Sequence, residues 1–154
     1  MMIIPSGKPK IWDKQPDAGT MPANQAYTGT FHKLCQEYAT LFDTDYLILS
    51  PFYGFLTPNT LIGTTYDVRF TQKGTTEQTI SLTDLKKQWT ALAFEEKEMV
   101  VLGGEKFKPL LEQIVPSTIQ LTFPLLGLGG IGYMQQALKQ AIHEKKPLHT
   151  KSSN

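Results

Sequence analysis

The stretch Tyr46-Leu47-Ile48-Leu49-Ser50 runs apolar through four successive positions and stops at Pro51. A strand wet on one face alternates apolar and polar residues. A continuous run instead points to a strand covered on both faces, the habit of parallel sheets between two helix layers. Upstream, across the turn Asp43-Thr44-Asp45, the residues Phe31, Leu34, Cys35, Tyr38, Leu41 and Phe42 recur at helical spacing. They predict a helix packed on a core and opened by Ala26-Tyr27-Thr28-Gly29-Thr30-Phe31. Met2-Ile3-Ile4 and Met99-Val100-Val101-Leu102 read as further short buried strands, ending at Pro5-Ser6-Gly7 and Gly103-Gly104, and Thr118 to Phe123 reads as the last strand. Phe52-Tyr53-Gly54-Phe55-Leu56 reads as an aromatic turn, and Tyr66 to Phe70 as an edge strand or extended segment.

Helices fall between these runs. Ser81-Leu82-Thr83-Asp84 has the form of a capping box, with Leu82, Leu85, Trp89 and Leu92 on one face behind it. Phe107, Leu110, Leu111 and Ile114 mark another helix, with Pro109 early enough to be tolerated. A last helix turns Met134, Ala137, Leu138, Ala141 and Ile142 inward. Strands alternating with helices predict an α/β architecture of three layers: a mainly parallel sheet with helices on both faces. Residues 1–142 form one domain on this reading, and the polar stretch 143–154 a frayed tail. The segment from Ser6 to Gln25 is a long loop punctuated by Pro9, Pro16, Gly19 and Pro22, with Trp12 placed to pin it to the body.

The bulk composition narrows the function classes. A net charge of +1 weakens any reading as a protein that coats DNA. The local imbalance is Lys8, Lys10 and Lys14 near the start and Lys139, Lys145, Lys146 and Lys151 near the finish, which would form a positive rim if the ends met. The single cysteine, Cys35, falls on the apolar helix face, where it acts as a small hydrophobe; it can make no internal disulfide. No His/Asp/Glu cluster has metal-ligand spacing, no cofactor is implied, and no apolar run approaches membrane-spanning length. A cytoplasmic protein is expected.

In parallel sheets ligands sit beyond the carboxyl ends of the strands. The segments leaving those ends are Ser6-Gly7-Lys8, Ser50 to Gly54, Gly103-Gly104 and the loop 127–132, all rich in small or polar residues, which predicts one shared cleft. Gly127, Gly129, Gly130 and Gly132 follow a strand and open a helix, the context of a phosphate cradle, but lack the lysine of a Walker loop. The competing account is a glycine loop required for close helix–sheet packing. Thr28 and Gly29 offer backbone N–H groups at a helix start. Tyr27 and Tyr53 suit stacking on a base, or capping of the core. Ser50 stands at a strand end with no histidine base beside it; His32, His143 and His149 are the only candidates. Tyr66-Asp67 puts a carboxylate beside an aromatic ring near the expected cleft, where it would orient a water or face a developing positive charge on a sugar.

With those residues laid out, the chain resembles a small bacterial and phage domain family of unknown function with the pattern of the YaaA-like peroxide-stress proteins. The likeness runs from Ile4 to about Ile142. It is carried by Ile4-Pro5-Ser6-Gly7-Lys8 with Lys10, Ala26-Tyr27-Thr28-Gly29 with Phe31, Ile48-Leu49-Ser50 with Tyr53-Gly54-Phe55-Leu56, and Tyr66-Asp67. Leu102-Gly103-Gly104 with Phe107, and Pro124-Leu125 with Gly127, Gly130, Ile131 and Gly132, complete it. The pattern has cysteine where this chain has Ser6, and usually lysine where it has Phe52. The resemblance implies a setting of DNA binding and oxidative stress, and a looser fold-level analogy reaches the uracil-DNA-glycosylase-like folds.

The expectation is therefore a domain acting on a nucleotide, nucleobase or nucleic acid, with N-glycosidic-bond chemistry as its catalytic form. Asp67 or Ser50 would act near the sugar. Ser6, Lys8, Lys10, Tyr27, Thr28, Gly29, Tyr53, Gly54, Tyr66 and Gly104 would contact substrate, and the loop 127–132 phosphate. The alternatives are a non-catalytic nucleotide or nucleic-acid binder in stress response or phage defence, and a protein-binding accessory protein.

Overall fold

The structure, a computed structural model, describes residues 1–149. At its centre lies β1 (Met2–Pro5), paired in parallel with β3 (Tyr46–Ser50) on one side and β6 (Glu98–Val101) on the other. β7 (Gln120–Thr122) extends the sheet in parallel beyond β6, and β4 (Gly54–Leu56) closes the far edge antiparallel to β3, giving the order β4-β3-β1-β6-β7.

Because side chains alternate along a strand, each central strand feeds two cores. Met2, Ile4, Tyr46 and Ile48 face α1 (Ala23–Ala26), α2 (Thr30–Phe42) and α5 (Ile131–Glu144). Ile3, Leu47 and Leu49 face α3 (Leu82–Leu92) and α4 (Phe107–Ile114). All five residues of β3 are buried, as their unbroken apolar run requires. The architecture is the expected three-layer α/β arrangement with a mainly parallel sheet.

Several local expectations change. Residues 52–56 are not one turn. Gly54, at φ +83°, reverses the chain after Pro51–Tyr53, and β4 then pairs back on β3. The outer edge of β4 is satisfied by a side chain: Gln88 Oε1 accepts from the Phe55 N–H at 2.8 Å and Gln88 Nε2 donates to the Tyr53 carbonyl at 2.9 Å. The loop from Ser6 carries ordered pieces, a 3-10 turn at Ile11–Asp13 and the strand β2 (Met21–Pro22), which pairs with β5 (Leu61–Ile62). Trp12 does pin it to the body through its ring, buried in the core under α2, while its indole N–H donates to the Gly19 carbonyl of the same loop at 2.8 Å. Among the described residues no strand pairs with Tyr66–Phe70. Leu41, read as inward, is exposed, and the buried face of α2 includes His32 instead.

At the start of α3 the Ser81 hydroxyl accepts from the Asp84 N–H at 3.1 Å, the capping half of the box. Residues 143 and 144 still belong to α5, after which Leu148 donates its N–H to the Tyr38 hydroxyl at 2.8 Å and His149 Nδ1 meets the same hydroxyl at 2.6 Å. Residues 150–154, including Lys151, lie outside the described residues. α5 starts at the carboxyl edge of the sheet, where Lys8 and Lys10 lie, and carries Lys145 about 20 Å from its own first residue at 1.5 Å per residue. No helix among the described residues is long and apolar enough to cross a membrane.

Candidate functional site

A cleft of about 680 Å³ opens at the carboxyl ends of β1, β3 and β6. Its floor is Pro5-Ser6-Gly7 and the end of β3, and its sides are the N-terminal turns of α2, α4 and α5. Across the top runs the irregular segment Tyr66–Phe70. This segment straddles the sheet edge, pegged by one ring on each face. Tyr66 packs with the core under α2, and Phe70 with the core under α4. Between the pegs, Asp67, Val68 and Arg69 line the cleft.

The Tyr66 peg is held from three directions. Its hydroxyl lies 2.7 Å from both the Tyr27 hydroxyl and Ser50 Oγ. Its ring stacks on Phe52, with centroids 4.9 Å apart and planes 15° apart, while the Lys10 ammonium sits 4.1 Å from its centroid. A cation on an aromatic face is attracted by the ring quadrupole, so the ring is clamped on both sides. Ser50 Oγ also accepts from the Phe52 and Tyr53 N–H groups, at 3.1 and 3.0 Å, which leaves its own proton for Tyr66. Burial raises the phenol pKa of Tyr66, and raises that of Tyr27 strongly, so both stay neutral.

Of the residues singled out in the sequence, Ser6, Lys8, Lys10, Gly29, Asp67 and Gly104 line this cleft. Tyr27, Ser50 and Tyr66 form the hydroxyl cluster behind it; Tyr27 is 1% and Ser50 0% exposed, so neither meets a ligand face. Tyr53 donates its hydroxyl to the Thr64 carbonyl at 3.1 Å and steadies the approach to Tyr66. Gly54 belongs to the edge hairpin. The Thr28 N–H is spent on the Pro9 carbonyl at 3.0 Å, so the free N–H groups at this corner belong to the first turn of α2.

Gly127, Gly129, Gly130 and Gly132 are not among the lining residues; the start of α5 reaches the cleft through Ile131, Met134 and Gln135. Close packing does not explain three of these glycines either, since a Cβ at Gly127, Gly130 or Gly132 would meet nothing within 4 Å, whereas one at Gly129 would come 3.0 Å from the Tyr133 ring. Gly127 and Gly129 have φ of +82° and +106°, so there the requirement is backbone conformation.

The cleft also takes in Arg69, Phe70 and Lys106, which the sequence did not single out, and His32 and Phe107, which it named but did not place in the site. Four cations (Lys8, Lys10, Arg69, Lys106) face two acids (Asp67, Glu105), and apolar side chains such as Phe31, Phe107 and Met134 supply flat walls. Lys10 is 3% exposed and donates to the Lys8 carbonyl at 2.7 Å. Burial lowers its pKa, opposed by the fields of Asp13 and Asp67. His32 donates from Nδ1 to the Pro5 carbonyl at 2.8 Å, and its Nε2 accepts from the Gln36 amide at 2.7 Å. Burial lowers its pKa to about 4, so at neutral pH it is an uncharged wall rather than an available base. No cluster of His, Cys, Asp and Glu able to hold a metal ion occurs among the described residues.

These features define a class: a three-layer α/β domain with a cleft of apolar walls and several cations at the carboxyl edge of its sheet. The chain belongs to a family of unknown function, DUF6884, whose pattern matches residues 13–140. It is similar to the uncharacterized protein YfjM of Bacillus subtilis (strain 168), 42% identical over 150 residues that cover 96% of this chain and 98% of that protein.

Proposed function

We propose that this protein takes a nucleotide, a nucleoside or the unstacked base of a nucleic acid into the cleft and acts at its N-glycosidic bond. The observation that carries the reading is the composition of the cleft wall: four cations to two acids beside flat apolar side chains, at the sheet edge where α/β folds bind ligands. The first turn of α2, which lines the cleft through Thr30, Phe31 and His32, adds free N–H groups and the positive end of a helix dipole, which suits an anionic or polar edge of a ligand. The YaaA-like pattern in Ile4–Lys8, Ala26–Gly29 and Tyr66-Asp67, and the looser analogy with uracil-DNA-glycosylase-like folds, point the same way.

In this reading Asp67 is the reacting carboxylate. It lines the cleft and is exposed to an entering ligand. Breaking a bond between a sugar and a base develops positive charge on the sugar, and a carboxylate held nearby stabilises that charge or orients the attacking water. The hydroxyl cluster of Tyr27, Ser50 and Tyr66 positions Asp67 through the peg one residue before it. The ligand scale is a single nucleotide, matched to a cleft of about 680 Å³.

The test is release of free base from nucleoside monophosphates and from oligonucleotides carrying modified bases. Asp67→Asn is expected to cut turnover roughly 100-fold or more with an unchanged Tm. Equal turnover in the variant contradicts the catalytic role. A second reading, a non-catalytic nucleotide or nucleic-acid binder in stress response or phage defence, draws on Phe52. This residue stands where the resembling pattern usually has lysine, and here it stacks on Tyr66 instead of lining the cleft. A binder would show no base release, and its affinity would fall with salt and with Lys8→Gln. Lys10 is unsuited to that test because it is buried.

A further inference from the structure

Two cations stand together on one wall of the cleft, and neither makes an ion pair with the acids, Asp67 and Glu105, that line the same cleft. Arg69 is exposed on the segment that crosses the sheet edge. Lys106, just ahead of α4, donates its ammonium to the Phe70 carbonyl at 3.2 Å, which fixes its charge beside the residue that follows Arg69. Among the described residues the ion pairs are those of the Met1 amine with Asp43 and Glu96, so neither Arg69 nor Lys106 has one.

Like charges held together in a partly desolvated place raise the free energy of the empty protein. The effect registers on Lys106, whose pKa is lowered by burial and by the nearby Arg69. The other end of the cleft differs, because there Lys10 feels the opposing fields of Asp13 and Asp67. The two cations that make no ion pair therefore sit at the α4 side.

We propose that Arg69 and Lys106 form the anion subsite of the cleft and take the phosphate monoester of a nucleoside 5′-monophosphate. A phosphate monoester carries nearly two negative charges at neutral pH, matching two cations, and its oxygens suit the planar guanidinium fork as well as the ammonium. Phe107, whose ring the Lys106 ammonium approaches to 5.4 Å, and Phe31 bound the adjoining space for the nucleoside. The proposal rests on the nucleotide reading above and sharpens it, because it places the phosphate at the α4 side rather than on the glycine loop or the first turn of α2.

Calorimetric titration of the full chain tests it with nucleoside 5′-monophosphates, the matching nucleosides, ribose 5-phosphate and inorganic phosphate as probes. The monophosphates are expected to bind roughly tenfold or more tightly than the nucleosides. Arg69→Gln should erase that preference while leaving nucleoside affinity and Tm unchanged, since Arg69 holds no other element in place. Lys106→Gln should erase it too, with Lys106→Arg restoring it. Lys86→Gln, on α3, which contributes nothing to the cleft wall, should change nothing.

A monophosphate preference that survives Arg69→Gln and Lys106→Gln overturns the subsite while leaving the nucleotide reading intact. Binding of inorganic phosphate and ribose 5-phosphate that depends on both cations, without nucleoside binding, supports the subsite and removes the nucleotide reading. If no probe binds, both fall.

Discussion

His32 shows how much one side chain depends on contacts distant in sequence. It is the third residue of α2, yet it is 1% exposed and both ring nitrogens are engaged, with the Pro5 carbonyl and with Gln36. A lone histidine near a helix start gives no hint of this, because the Pro5 carbonyl becomes a partner only when α2 packs against the end of β1. The consequence is measurable. With a folded-state pKa of about 4 against 6.5 in the unfolded chain, the unfolded state binds more protons in the window between them. The stability from neutral His32 is therefore complete above pH 6.5 and is lost as pH falls toward about 4. The expected loss is about 3 kcal/mol across that window. Urea unfolding at stepped pH should show this decline in the natural chain and a markedly flatter profile in His32→Gln. Identical slopes in the two would remove the account.

Elements written in strong periodic patterns were legible. The buried run of β3, the apolar faces of α3, α4 and α5, and the Ser81 cap all follow from local spacing. The hairpin into β4 was not, because Phe52-Tyr53-Gly54 carries no two-residue turn signature and the reversal depends on Gly54 at φ +83°. A Cβ there would come within 2.2 Å of Gln88 Oε1 and 2.7 Å of Ile80 Cδ1. Gly54→Ala is thus expected to lose about 3 kcal/mol or more, read as a lowered midpoint in urea. A midpoint unchanged from the natural chain would mean that Gln88 does not brace this edge.

The segment Tyr66–Phe70 was visible only as two apolar rings around Asp-Val-Arg. That the rings enter opposite cores is a tertiary fact with no local signature. Tyr66→Phe keeps the stack on Phe52 and the cation face of Lys10 but removes the hydroxyl from the bonds to Tyr27 and Ser50. The buried partners left behind should cost about 1–3 kcal/mol. Faster amide exchange at residues 66–70 should accompany the loss. Protection equal to that of the natural chain would show that the ring alone holds the segment.

At the scale of the molecule, alternating strands and helices were enough to place the ligand region, because right-handed parallel topology brings the strand ends to one edge. Ser6, Lys8, Gly29, Asp67 and Gly104 could therefore be chosen from turns far apart in the chain, and they do share one cleft. What topology could not resolve was depth. Tyr27 and Ser50 belong to the same edge but lie one layer beneath the surface, where they support Tyr66 rather than face a ligand. Arg69 and Lys106 escaped notice for a related reason: a single arginine and a single lysine 37 positions apart become a pair only when Phe70 turns its carbonyl toward α4.

The most direct test of the central claim is a two-dimensional ¹H–¹⁵N spectrum of the isotopically labelled chain titrated with a nucleoside 5′-monophosphate. The account predicts that amides of Gly7, Gly29, Gly104 and residues 67–70 move together with one saturation curve, while those of α3 and the far end of α5 stay still. Saturable shifts confined to another surface, or none at any accessible concentration, would contradict it.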